Sequence, residues 1–262
     1  MRGSARAPGI HPTALVEDGA KVHPDAIVGP MAWVASGAVI GAGARIGARA
    51  VVGPGVRVGE ASLVDTGAVV GHVAQPSAEP SVEIGRGAQV REYAVVEPGH
   101  TTPTWIADFA FVMGRTRIGA GSRIGERAVV THGSIVGADA CLEAGAVVGG
   151  LALVEHGVVV GQGAMVAAMS RVVRPVPPFV LVHGAPARPV GLNVVGLRRS
   201  GARPDARLAL QRAFRLLFRS GLSLDEAERR LSAERAEWPE LDRLLAFLRR
   251  YGSPGEAPPE RR

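Results

Sequence analysis

One branched apolar residue in every six runs through most of this chain, and that beat constrains its fold more than any other feature. From Ile118 the sequence reads IGAGSR, IGERAV, VTHGSI, VGADAC, LEAGAV, VGGLAL, VEHGVV, VGQGAM, VAAMSR. Its units are led by Ile118, Ile124, Val130, Val136, Leu142, Val148, Val154, Val160 and Val166. Four places on from each leader stands a small residue or Val, such as Ser122, Ala128, Ser134, Ala140 and Ala146. A helix repeats at about 3.6 residues and a strand at about 2, so a strict six suits neither alone. It suits a coil with one short flat face per six residues and three faces per turn, a parallel β-helix. The branched residue fills the coil, the small one leaves room at the next corner, and Gly just after the apolar residue suits the sharp bends.

The same beat starts at Ile10 and continues through Val16, Val22, Val28, Val34, Ile40, Ile46, Val52, Val58, Val64 and Val70. A loop rich in Pro and Ser, Ala74 to Ser81, interrupts it. The beat resumes at Ile84, Val90 and Val96, breaks over His100 to Trp105, and returns at Ile106, Val112 and Ile118. It is expected to end at Val172, because the prolines of RPVPP that follow cannot donate to a ladder. An extended, glycine-punctuated connector follows, then three helices. The first starts at Pro204 and runs to about Arg219, the second is announced by the capping-box spacing of Ser223 and Glu226, and the third runs from Pro239 to Arg250. The chain therefore divides into a disordered N-terminus (1–9), a β-helix (10–178), a connector (179–203), a helical cap (204–251) and a disordered tail (252–262). The fold class is mainly β, with a small α-helical C-terminal domain.

Aromatics make up only 4% of the chain, as stacked thin coils require, and the formal charge is +6, nearly all of it from Arg. A basic surface suits an acidic partner such as a carrier protein or a nucleotide phosphate. No basic stripe is interleaved with aromatics, which argues against nucleic acid. The single cysteine, Cys141, allows no internal disulfide and fits a reducing cytosol, with a place in the solenoid wall. No apolar run approaches the roughly 18 residues of a membrane span, and the first residues lack the apolar stretch of a secretion signal. A cytoplasmic protein without cofactor is the expectation. No His/Cys cluster has metal-ligand spacing, and Asp139 with His156 is too sparse for a metal site.

Three stretches carry a closer likeness: IHPTALVEDGAKV from Ile10, VEIGRGAQVREYAVV up to Val96, and above all VPPFVLVHGAPARPVGLNVVGLRRSG ending at Gly201. They resemble the acyl-[acyl-carrier-protein]–UDP-N-acetylglucosamine O-acyltransferases, which open lipid A synthesis. The resemblance covers Ile10 to Leu248, and the connector is its most specific part. It implies a left-handed β-helix, a homotrimer with sites in the grooves between neighbours, and acyl carrier protein and a UDP-sugar as partners. It also implies a histidine as general base on the sugar 3-hydroxyl, an adjacent aspartate that orients it, and a backbone N–H of the next coil as oxyanion donor.

The family coil has the form I-A-H-D-x-x, and here it reads Ile118-Gly119-Ala120-Gly121-Ser122-Arg123. Both members of the catalytic pair are missing. Arg117 and Asp139 stand where the family has two further histidines, and His156 where it has a glutamine. Ala138 lies one turn beyond Ala120. Asn193, Arg198 and Arg199 match or adjoin positions the family uses around the sugar nucleotide and carrier phosphate, although they could equally cap and solvate the connector. Ala168 and Met169 lie where the family measures acyl-chain length.

Among the remaining histidines, His11 and His23 precede prolines and are explained by turn chemistry. His183 lies in the connector, and His72 and His100 border the two interruptions. His132 holds the base's place within its coil but on a different face. His156 shares the vacant base's face, two turns on, at the head of the column Ala120, Ala138, His156. Turns stack at about 4.8 Å, so it stands about 10 Å from the vacancy, too far to replace the base unless the substrate binds higher. Two readings remain: an acyltransferase-like protein whose standard reaction is lost or much reduced, and a non-catalytic trimeric paralogue that binds a sugar nucleotide, an acyl carrier or a sister subunit.

Overall fold

The computed structural model describes residues 9–71 and 82–252. The termini expected to be disordered, His72 and the loop Ala74 to Ser81 lie outside these, apart from Gly9 in the first strand and Gly252 at the cap of the last helix. Short strands, mostly of two residues, stack into three parallel sheets that form a left-handed β-helix. The first face carries the beat residues from Ile10 to Val166, the second those from Val16 to Val172, and the third those from Val22 to Val160. Each leader pairs with the leader three units on, as Ile118 does with Val136 and Val136 with Val154.

Both interruptions are extra chain at one corner. Val70 pairs with Val96 while Ile84 pairs with Val58, so the first leaves between the second and third faces. The second, between Val96 and Ile106, leaves at the same corner one turn later. It is pinned there, because the Thr104 hydroxyl donates to the Glu97 carbonyl at 2.7 Å and accepts from the Gly121 N–H at 2.9 Å.

The leaders and their small companions are the core. Ile118, Val136, Val154, Ala128 and Ala140 are all fully buried, and each buried Val or Ile contributes about 1.5–3 kcal/mol relative to exposure. Where the companion is Ser, its hydroxyl is satisfied inside: Ser122 donates to the Gly137 carbonyl and Ser134 to the Gly149 carbonyl, both at 2.8 Å. The glycine after the leader has a different reason from the bend expected for it. At Gly119 a Cβ would lie 2.5 Å from the Ala138 nitrogen, and at Gly137 one would lie 2.6 Å from the His156 nitrogen. Close approach of the next turn, rather than a special φ, excludes a side chain there.

The corners carry a second device. Asp139 (φ 54°) and Leu151 (φ 56°) hold the left-handed conformation, and each side chain folds back over a glycine one turn earlier, Gly121 and Gly133 respectively. Each also donates its N–H to the carbonyl just before that glycine, Ala120 at 2.8 Å and His132 at 3.1 Å. Tyr93 over Gly67 and Phe109 over Gly87 repeat the arrangement.

The ladder does not stop at Val172. Val176 bridges to Val160, and Val180–Gly184 adds a parallel strand beside Met165 and Val166. Val182 pairs with Val166 where an unbroken beat would place residue 184, so the last turn is two residues short and the six-residue pattern hides it. The connector then turns back as an antiparallel hairpin with Ala187–Leu192. A short helix, α1 (Val194–Arg199), precedes α2 (Pro204–Phe218), α3 (Leu224–Glu237) and α4 (Pro239–Tyr251). The hairpin and α1 were not foreseen, whereas the three later helices start as expected, with the Ser223 hydroxyl accepting from the Glu226 N–H at 3.3 Å. Leu210, Leu231, Leu241, Leu244 and Leu245 bury the inner faces of these helices in one core with Leu197 of α1 and the solenoid. Glu228, almost wholly buried, clamps α3 to Arg249 of α4 through Nε at 2.7 Å, and this hydrogen bond pushes the arginine's pKa further up.

Among the described residues no helix is long and apolar enough to cross a membrane.

Candidate functional site

The corner between the second and third faces, where both interruptions leave, also gathers the vacant base position and its neighbours. Ala120, Ala138 and His156 stack there on successive turns, because their coils pair in register. The 97–103 segment lies against this column, with Thr102 Oγ1 3.6 Å from where a Cβ on Gly121 would stand. Asp139 Oδ1 lies only 2.4 Å from that same point. The carboxylate of Asp139 thus occupies the space that a side chain at residue 121 would need.

His156 reaches toward this carboxylate, with Nδ1 3.8 Å from Asp139 Oδ2 and both side chains well exposed. Neither the Ala138 N–H nor the His156 N–H has an acceptor among the described residues. The neighbouring charges are engaged elsewhere. Arg117 donates from Nε to Glu97 at 2.7 Å, and Arg171 from Nε to Glu155 at 2.8 Å. Arg117, a candidate substrate contact by sequence, is therefore held by the 97–103 segment.

Ala168 and Met169 are on another edge. They line a groove of about 650 Å³ at the corner between the first and second faces, together with Tyr93, Arg115, His132 and Leu151. Tyr93, Leu151 and Met169 are more than half exposed, so the groove is an open apolar surface with Arg115, His132 and Glu92 at its rim. Large apolar residues at solvent-facing corners were the available signal for Leu151 and Tyr93, which the repeat pattern alone had passed over.

Asn193 belongs to a third edge. Its Nδ2 donates to the Gly163 carbonyl at 2.9 Å and its Oδ1 accepts from the Gly196 N–H at 2.9 Å, so the side chain caps α1 and ties it to the corner between the third and first faces. Arg198 and Arg199 end α1 exposed, with neither guanidinium held by another described residue. Asn193→Ala is expected to lower stability by about 1–2 kcal/mol, for a lost cap and a lost hydrogen bond. Chemical denaturation checks this, and an unchanged midpoint would show that the bonds carry no weight.

Of the other described histidines, His11, His23, His100 and His183 are structural or solvated. His11 Nδ1 meets the Thr13 hydroxyl at 2.9 Å, and His23 Nδ1 accepts from the Asp25 N–H at 3.1 Å, both turn contacts. His100 and His183 are exposed, and no group of three or more His, Cys, Asp and Glu among the described residues could hold a metal. Burial pushes the Cys141 thiol above its ordinary range, with Glu143 adding to the rise and Arg123 opposing it, which leaves little thiolate for nucleophilic chemistry.

Comparison with known proteins adds a second line. Residues 176–255 match the family described as UDP-N-acetylglucosamine O-acyltransferase, domain 2, and residues 115–150 match bacterial transferase hexapeptides. The acyl-[acyl-carrier-protein]–UDP-N-acetylglucosamine O-acyltransferase of Burkholderia mallei is 36% identical over 152 residues. That match spans 57% of this chain and 58% of the relative, so the curated relatives are matched over little more than half their length. Solved structures align further. The UDP-N-acetylglucosamine acyltransferase of Campylobacter jejuni is 32% identical, with a TM-score of 0.86 over 93% of this chain and 97% of that one. The UDP-N-acetylglucosamine O-acyltransferase of Moraxella catarrhalis is 27% identical, with a TM-score of 0.84 over 93% and 98%.

Proposed function

This chain belongs to the UDP-N-acetylglucosamine O-acyltransferase family, and we propose that it keeps the family's binding functions while its standard acyl transfer is lost or much reduced. Its ligands on this reading are a UDP-sugar and an acyl carrier protein. The observation that carries the reading is the corner Ala120-Gly121, where the family pattern has His-Asp and where the Asp139 carboxylate now sits. A methyl group accepts no proton, and a general base is worth about 10²–10⁴-fold in rate.

The surfaces for binding are retained by contrast. Ala168 and Met169 open on an apolar groove suited to an acyl chain, and Arg198 and Arg199 present two guanidinium groups that no other described residue engages, suited to phosphate. The three groups of candidate residues lie on three different edges of one solenoid. A homotrimer sets one copy's edge against a neighbour's, so candidate residues from two of these edges would share a groove there, which is what supports the trimeric reading.

Calorimetry with UDP-N-acetylglucosamine, paired with a transfer assay using 3-hydroxyacyl carrier protein, tests the reading. The expected result is binding with little or no turnover, and Arg199→Ala should weaken binding by about tenfold or more. Turnover at the rate of the Campylobacter jejuni enzyme would overturn it. A second reading, a non-catalytic trimeric paralogue that binds a sugar nucleotide, an acyl carrier protein or a sister subunit, is favoured by the same corner and would show binding with no turnover at all.

A further inference from the structure

We infer that His156 and Asp139 form a relocated base pair, and that any acyl transfer this chain performs runs through the His156 imidazole with the acceptor hydroxyl bound nearer the C-terminal end of the groove. The inference rests on the family reading above for its donor and acceptor, a carrier-bound acyl thioester and a sugar-nucleotide hydroxyl.

Three observations carry it. The first is placement: Asp139 and His156 lie on adjacent turns of one corner, with Nδ1 facing Oδ2 at 3.8 Å. The second is how the carboxylate is held. The left-handed backbone of Asp139 (φ 54°) and its N–H bond to the Ala120 carbonyl fold the side chain back over Gly121, into space that only a glycine leaves open. The third is the state of the neighbours. Glu155 and Glu97 are taken by Arg171 and Arg117, so Asp139 is the carboxylate facing His156, and Nε2 of His156 has no partner among the described residues. Oδ2 stands at ion-pair rather than hydrogen-bond distance from Nδ1, and closing that gap when substrate binds would favour the tautomer that leaves Nε2 free to accept a proton.

In the step itself, the acceptor oxygen bonds to the thioester carbonyl carbon while its proton passes to Nε2 of His156. The carbon–sulfur bond then breaks, and the leaving thiolate takes the proton back from the imidazolium. His156 is the catalytic residue, and Asp139 is a positioning residue. The Ala138 and His156 N–H groups, one turn apart at this corner, have no acceptor among the described residues and are therefore available as oxyanion donors.

The test uses the full chain with UDP-N-acetylglucosamine and 3-hydroxyacyl carrier protein under both single-turnover and steady-state conditions, with calorimetry of sugar-nucleotide binding alongside. His156→Ala should lower the transfer rate by about 100-fold or more without changing binding, and added imidazole should restore part of it. Asp139→Asn should lower kcat by about tenfold at unchanged KM, well short of the roughly 10⁴ lost when a buried triad aspartate is replaced, because this pair is exposed. Asp139→Glu should recover part of the loss. Binding with transfer indifferent to His156→Ala overturns the inference and leaves the family reading standing, as does binding with no transfer by the unmodified protein. Absence of both binding and transfer overturns the two together.

Discussion

Rebuilding the family's catalytic pair with Ala120→His and Gly121→Asp alone is expected to leave transfer well short of full recovery, while adding Asp139→Gly, which removes the side chain folded over residue 121, should raise it by about 10²–10⁴-fold over the unmodified chain. The reason is steric and electrostatic. A Cβ at residue 121 would stand 2.4 Å from Asp139 Oδ1, and a carboxylate placed there would abut a second one. Gly121 also has φ +70°, which Asp tolerates better than most residues once the space is free. The loss of the old pair and the position of Asp139 are thus coupled. Steady-state transfer rates of the double and triple variants read the coupling directly. Full activity from the double variant would mean that Asp139 swings aside at no cost, and the steric argument would be wrong.

Gly137→Val is expected to be among the most destabilising single changes in the solenoid, at about 3 kcal/mol or more. The new Cβ would meet the His156 nitrogen at 2.6 Å and the Glu155 carbonyl carbon at 2.8 Å. These are backbone atoms fixed by the Glu155 N–H bond to the Val172 carbonyl and the Gly157 N–H bond to the Ala138 carbonyl, both 2.9 Å. They cannot turn away as a side chain could, so whole turns must separate. Thermal unfolding should show Tm lowered by about 6 °C or more. Gly191→Val is the control, since a Cβ there meets nothing within 4 Å. Equal losses at the two sites would sink the account.

The three-faced coil, its two interruptions and the later helices were legible because each rests on a local rule: a period of six, Pro-rich breaks, and capping residues. The C-terminal hairpin was not. Val176 and Val182 follow Val160 and Val166 by two residues fewer than a full turn, so counting sixes loses them, and the prolines before them read as a stop. At the site, the empty base position was plain from Ala120-Gly121. Asp139 and His156 were paired only as too sparse a metal site, and the approach of the carboxylate to the imidazole was not read because each was placed within its own coil. Which way a corner side chain folds depends on its φ and on the residue beneath it, and a one-dimensional repeat carries neither directly.

Side chains that fold back over a glycine one turn earlier make distant positions in the sequence answer to each other. Asp139 with Gly121, Leu151 with Gly133, Tyr93 with Gly67 and Phe109 with Gly87 should change together across related genes, at separations set by the local turn length. A mutational library that randomises one corner at a time would then consist mostly of collisions. One that varies such couples jointly would explore new groove linings while leaving the stack intact.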